Sequence, residues 1–456
     1  MEAVLSWINL NRRRVLSWFK DDVFRRLFLN AGKLLSAKVF ASIVGLITAV
    51  LTARALGPDR YGILALVLAY QLTIGKLVTF NAWQAIIKFG SETLQANDRT
   101  ALRQLIKFGF CLDIGSAVIG TILAIVLADP IVRLLGWDHS VQPLLMLYSM
   151  LILVSLSGTP IGILRLFDRF DLLSVATVLE ALIRIAGVAW CLFAKRDLRA
   201  FVLAYLVAKI MEQLCQLCSS FWVLHKQGIG NCFQEPLRGL RSRFHGLWGY
   251  VWTTNITMTV RMLSREADSV FVAALTTPDA LGLFKVAKQF AAVLPALSDP
   301  LSQSIYPELA RAWARRDKKG FISLIKRTTL FTSVAAFSGW VVFLLLGRWI
   351  IDTTVGAPFQ GAYWVTVFYM LAMVVFLCSF AFTPSLLAMG LVRESFLANL
   401  AATVVYFCLL FPLVRSVGIA GASLSYIGFF LTWSVIMVSY LSSSCRRRVE
   451  AINVLD

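Results

Sequence analysis

Charge is what this sequence has least of. Only 15% of its 456 residues are Asp, Glu, Lys or Arg, against about 25% in an average soluble protein. Acids are the scarcer sign: 25 Asp and Glu stand against 44 Lys and Arg, a formal net charge of +19. A soluble globule of this length could not stay dispersed with so little surface charge. Paired cysteines are also lacking. The eight cysteines are scattered, mostly inside apolar runs where Cys behaves as a small hydrophobe. Cys215 and Cys218 form a C-x-x-C, but no second pair lies near it, so i, i+3 packing is favoured over zinc or redox chemistry. No metal site and no cofactor are expected. A cleavable leader is missing as well, since the first long apolar run begins near Leu34 and is too long for one. What is plentiful is apolar: 58% of residues, with a mean hydropathy of +0.75. That excludes disorder, and it excludes a nucleic-acid binder, which could be this basic but not this apolar. The composition is that of a polytopic membrane protein.

A span needs about 20 apolar residues. Twelve such stretches are read at 34–54, 61–83, 105–128, 143–163, 172–193, 200–223, 248–275, 282–305, 326–346, 363–386, 396–414 and 419–441. The fold class expected is therefore an all-α membrane protein of about twelve transmembrane helices. Lys and Arg sort the two sides. With both termini inside, and Lys326 and Arg327 at the very start of the ninth span counted with the loop before it, the cytoplasmic segments hold 27 of them, the outer loops 7 and the spans 10, which predicts an N-in, C-in topology. Residues 1–33 mix Trp7, Trp18, Phe19, Phe24 and Phe28 with seven Lys and Arg. They read as a basic amphipathic segment on the anionic cytoplasmic leaflet. Residues 442–456 form a basic tail. No loop is long enough for a separate catalytic domain.

Two turns carry the same punctuation. Pro58-Asp59 and Gly62 follow the first span; Pro278-Asp279 and Gly282 follow the seventh, at a constant offset of 220. Proline ends one helix and Asp can cap the next. Two six-helix bundles of the same polarity follow, related by a parallel repeat about the membrane normal. They are expected at 34–223 and 248–441, with 224–247 as a cytoplasmic linker.

The run Thr52–Leu66, T-A-R-A-L-G-P-D-R-Y-G-I-L-A-L, resembles the signature after the first helix of bacterial polysaccharide-biosynthesis transporters. These are Wzx-type flippases of the multidrug/oligosaccharidyl-lipid/polysaccharide exporter superfamily. Ala280–Phe284, Tyr306–Ala310 and Gly418–Ala422 are similar to the same family's second half. The resemblance covers about residues 30–440. It implies flipping of an undecaprenyl-diphosphate-linked sugar unit across a bacterial inner membrane, with no enzymatic step. It also implies a polymerase and a chain-length regulator of the same pathway as partners, besides membrane lipids, and no nucleic acid.

Charges inside spans are costly and face a wet cavity or a partner. Ten Lys and Arg and six acids lie there, all in the first eight spans. Glu180 with Arg184, and Lys209 with Glu212, can pair along their own helices. Lys107 and Arg54 sit at span ends and can reach the interface. Lys76, Arg261, Lys285 and Lys288 have no acid within one turn; Arg265 shares Arg261's face and can reach Asp268. Like charges one turn apart repel, which points to an external anion such as a diphosphate. Lys76, Arg261, Arg265, Lys285, Lys288 and, near a cytoplasmic end, Lys38 are the candidate substrate-binding residues. The resemblance to lipid II flippases adds weight at Lys76 and Lys288, where that family has cavity cations on the second and eighth helices. On the first helix, Ser42 and Thr48 stand where arginines are expected. Asp113, Glu266 and Asp268 are candidates for carrying a coupling proton or cation, a counter-ion role for Arg261 or Arg265 being the alternative. Trp83, Trp248, Trp252, Trp349 and Trp364 lie near span ends, as interfacial anchors do. Two competing functions remain. A drug or metabolite exporter predicts an acid-rich cavity, whereas cations outnumber acids 10 to 6 in the spans. A membrane polymerase needs an acidic cluster outside, and the longest outer loops hold only Asp129, Asp138 and Asp352.

Overall fold

The computed structural model describes the backbone of residues 22–453, less 81, 157, 267, 297–304, 307, 314 and 316, and most side chains of residues 36–443. The amphipathic reading of 1–33 therefore lies almost wholly outside the described residues; 22–33 are helical and continue into the first span. Every regular element among the described residues is helical. Nine stretches are long and apolar enough to cross a membrane.

Helix α1 (Asp22–Val78) is two helices joined at Gly57, whose φ of 73° no β-carbon favours. Its apolar part, residues 36–78, would measure about 65 Å if straight, twice a bilayer's hydrocarbon core of about 30 Å. Gly57 and Pro58 supply the turn back. The equivalent turn of the second half is capped differently: Thr277, not Asp279, accepts from the amide of Ala280 at 3.4 Å.

After α1 the chain makes a short amphipathic helix, α2 (Trp83–Gln95), where only a loop was expected; it buries Ala85, Ile86 and Phe89. Asp98 caps α3 (Arg99–Leu135) by accepting from the Ala101 amide at 2.9 Å, and Gly136 ends it in the left-handed region. The fourth span is broken into α4 (Gln142–Val154) and α5 (Gly158–Leu166). Two unbroken spans follow, α6 (Phe170–Phe193) and α7 (Leu198–Lys226).

The linker is no loose tether. It contains one turn, α8 (Leu240–Arg243), and is fastened to the start of α3. Gln104 Nε2 donates to the Pro236 carbonyl at 2.8 Å, Lys107 Nζ to the Glu235 carbonyl at 2.8 Å, and Arg243 to Gln104 Oε1 at 3.2 Å. Lys107 thus satisfies itself on the linker rather than on lipid headgroups.

The seventh span is carried by α9 (Leu247–Glu266) and α10 (Asp268–Leu275), and the eighth by α11 (Pro278–Ala291) and α12 (Val293–Ala296). Neither is among the nine long apolar stretches. Beyond them stand α13 (Lys318–Thr354), capped by Asp317, then α14 (Ala362–Cys378), α15 (Phe382–Ala388), α16 (Val392–Val417) and α17 (Ala420–Asn453). The largest apolar cluster joins the two halves of the chain, running from Tyr61, Leu64 and Tyr70 to Phe284, Tyr369 and Tyr426. Packing of this kind, rather than escape from water, holds helices together in lipid.

Candidate anion site between the two halves

The two repeated turns touch one another. A β-carbon built on Gly62 would stand 1.7 Å from the Pro278 carbonyl oxygen and 3.0 Å from the Gly282 amide nitrogen. One built on Gly282 would stand 2.1 Å from the Pro58 carbonyl oxygen and 3.1 Å from the Gly62 nitrogen. The contact is reciprocal, so a local two-fold axis runs between the glycines, and backbone meets backbone with nothing in between. Arg54 donates to the Thr353 carbonyl at 3.4 Å, and Tyr61 sets its ring edge on Phe359 at 6.3 Å. On the topology expected from the Lys/Arg bias, this closed end would be the outer one.

Gly62 and Gly282 also calibrate the faces of their helices. Lys76 lies fourteen residues after Gly62, just under four turns, so it shares that face about 21 Å further in. Thr73 lies on the same stripe, and its buried hydroxyl has no hydrogen-bond partner among the described residues. On α11, Lys285 follows Gly282 by three residues, about 60° off the meeting face; Lys288 follows by six, about 120° round. Lys285 therefore stands about 4.5 Å below the glycine contact and Lys76 about 21 Å below it, each on or beside a meeting face. Both are half-buried.

Lys288 turns into its own half. Its Nζ donates to both oxygens of Asp268 at 3.0 and 2.8 Å. Asp268 is 1% exposed. It also accepts from the Tyr426 hydroxyl at 2.7 Å, the Ser269 amide at 2.6 Å and the Ser269 hydroxyl at 3.2 Å. Tyr426 in turn packs on Tyr369 and Tyr406, with ring centroids 4.8 and 4.6 Å away. Four donor groups making five contacts saturate this carboxylate. The geometry makes Asp268 and Lys288 an interhelical pair, α10 to α11. The side chains of Arg261, Arg265 and Glu266 lie outside the described residues; their backbone is in α9.

Asp113 has a different task. It is 3% exposed, and its Oδ2 accepts from the Thr159 amide at 2.6 Å. That bond caps the first turn of α5 at the break in the fourth span. A β-carbon on Gly158 would stand 2.6 Å from Asp113 Oδ1, so the carboxylate lies against bare backbone. Asp113→Ala should destabilise the protein by about 1–2 kcal/mol, read as a thermal shift in nanodiscs. Asn caps nearly as well as Asp, so Asp113→Asn should keep both stability and transport. Loss of transport in a stable Asn variant would show instead that the carboxylate carries a proton.

The remaining charges sort as follows. Glu180, Arg184, Lys209 and Glu212 form one neutral network across α6 and α7, not two separate pairs: Lys209 Nζ is 2.9 Å from Glu212 and 3.7 Å from Glu180, which meets Arg184 at 3.2 Å. Lys38 is exposed on α1, beside the buried Ala37. Thr48 is buried and returns its hydroxyl to the Val44 carbonyl. At the inner end the first turn of α9 leans on the first half: Trp248 on Phe108, Tyr250 on Phe89 and Trp252 on Phe80, at 5.1, 5.8 and 5.1 Å. Trp248 and Trp252 are thus packed between helices as well as exposed at a span end.

A family model described as polysaccharide biosynthesis protein matches residues 27–313. The inner membrane protein YghQ of Escherichia coli (strain K12) is 29% identical over 355 residues, which are 76% of this chain and 97% of that protein. Among solved structures, the lipid II flippase MurJ in an inward closed conformation superposes with a TM-score of 0.71 at 16% identity, over 90% of this chain and 87% of its own. An inward-facing multidrug resistance MATE family transporter of the MOP superfamily gives 0.65 at 16% identity, over 92% and 95%. These structural likenesses are likenesses of fold.

Proposed function

The chain belongs to the polysaccharide biosynthesis protein family, and from that premise we propose that it flips an undecaprenyl-diphosphate-linked oligosaccharide, a repeat unit of O-antigen or exopolysaccharide, across the bacterial inner membrane. The inner-membrane location is supported by the relative named for that membrane and by the nine long apolar helices. The observation that carries the substrate class is the placement of Lys76 and Lys285. Both stand on or beside the faces that Gly62 and Gly282 mark as meeting, below a closed outer end. A diphosphate carries the charge such ammonium groups hold. Arg261 and Arg265 are kept as further proposed substrate-binding residues. Lys288 supports the site from behind through Asp268, and Lys38 is kept for the cytoplasmic approach.

The cycle is alternating access. With the outer end closed, the headgroup enters from the cytoplasmic side, and its lipid chain stays in the bilayer. Separation of the Gly62–Gly282 contact then exposes the sugar outside. No bond is made or broken. A polymerase and a chain-length regulator would take the product onward.

Charge reversal tests this reading. Lys76→Glu or Lys285→Glu should abolish surface polysaccharide at normal protein level in the membrane, and lipid-linked units should accumulate on the inner leaflet. Wild-type polymer from both variants would overturn the site. Accumulation on the outer leaflet instead would assign the chain to polymerisation. The shared MATE fold keeps drug export as the second reading; enhanced efflux of a cationic dye on expression would favour it, though cations beneath the closed end repel such a substrate.

A further inference from the structure

On its lipid-facing side the first half carries a groove of ≈670 Å³ between α1 and α6. Phe40 forms one wall; Asp171, Ser174, Val175, Val178 and Leu182 line the other. Along α6 those positions fall at i, i+3, i+4, i+7 and i+11, one continuous face over three turns, about 16 Å long. That is roughly half of a bilayer's hydrocarbon core. The upper end is shut where α1 closes on α6: a β-carbon on Gly45 would stand 3.1 Å from Arg184 Nη2. The flanks face lipid, with Phe40, Val175 and Leu182 42%, 56% and 48% exposed. Since the Lys/Arg bias puts the start of α6 on the cytoplasmic side, the groove serves the cytoplasmic leaflet alone.

Its mouth is built for a headgroup. Arg169 grips both oxygens of Asp171 at 2.9 and 2.8 Å, and its guanidinium lies 4.9 Å over the ring of Trp222. The ammonium of Lys226 lies 5.2 Å from the same ring. Two cations therefore face one carboxylate, beside an exposed tryptophan, at the depth where aromatic and basic residues anchor to headgroups. The local excess is positive, and it stands at the end of an apolar trough.

We propose that this groove holds the single polyprenyl chain of the lipid-linked substrate, with its diphosphate at Arg169 and Lys226, before the headgroup enters the space between the halves. The proposal rests on the function argued above and adds a place for the tail. Because the groove ends half-way, it is a holding site in the cytoplasmic leaflet and not the path across.

The test uses the full chain in nanodiscs of phosphatidylethanolamine and phosphatidylglycerol, with a photoactivatable polyprenyl diphosphate. The label should map to the α6 segment 171–182 and survive excess phosphatidylglycerol. Lys226→Gln should weaken labelling about fivefold, and Arg169→Gln with Lys226→Gln about 30-fold. Val178→Trp should block it by filling the trough, at unchanged protein level. Lys76→Glu, outside the groove, should leave it intact. Label absent from α6, or displaced by phosphatidylglycerol, would overturn the groove even if depletion of the protein stops polysaccharide export. Label on α6 in a protein whose depletion leaves export unchanged would support the groove while removing the transport reading.

Discussion

Valine in place of Gly62 or Gly282 is expected to hold the outer end open. The β-carbon alone would sit 1.7 or 2.1 Å from a backbone carbonyl oxygen, and no side-chain rotamer can relieve a clash with backbone. The helices must part, and the closed state alone bears the cost. Overpacking of this kind costs about 1–3 kcal/mol, which shifts a two-state ratio about 5- to 150-fold. Ala69, on the Gly62 face of α1, reports the shift. In a background freed of the eight native cysteines, Ala69→Cys should react slowly with a membrane-impermeant maleimide from outside. Adding Gly62→Val should speed the reaction by that factor, while surface polysaccharide falls. Gly62→Ala should give a smaller effect of the same sign. Unchanged labelling in Gly62→Val and Gly282→Val would mean that the turns are not the outer closure.

Asp268→Asn is the second large effect. It leaves the Lys288 ammonium half-buried without its carboxylate, and turns one of the two accepting oxygens, that of Tyr426 or that of Ser269, into an amide NH2 donor. Removing one partner of a buried pair costs about 3–5 kcal/mol, whereas replacing both by apolar groups of similar shape is often neutral. The single variant should therefore melt well below the wild type in nanodiscs, and Asp268→Leu with Lys288→Met should recover most of the loss. If the double variant is stable and still supports surface polysaccharide, the pair is scaffold. Stability without transport would give Lys288 a direct part in holding the substrate.

Much of this was written in the sequence, unevenly. Apolar length found the nine long apolar stretches among the described residues, because a bilayer imposes about 20 residues on each span. The offset of 220 found the two turns, but a repeat says only that two things are alike, not that they touch. The faces could have been found too: fourteen residues from Gly62 to Lys76 is helix arithmetic. Lys288 and Asp268 were not legible as a pair. They are 20 residues apart on different helices, and intrahelical spacing cannot see across a turn. The break around Ser155 escaped for a related reason. Gly158 and Pro160 punctuate the stretch inside an apolar run, but Asp113, which caps the helix that follows, is 46 residues away. The groove was invisible because its lining residues look like any lipid-facing helix until two helices are placed side by side.

The seventh span serves two masters. Its first turn is clamped to the first half by Trp248, Tyr250 and Trp252, just after a linker itself tied to α3. Its last part is bolted to the second half through Asp268, Lys288 and Tyr426. A rod fixed at one end to each of two moving bodies must bend or twist between its fixings. Any relative movement of the halves would then be taken up along the helix between Trp252 and Asp268, and that one helix would set how stiffly the halves are coupled.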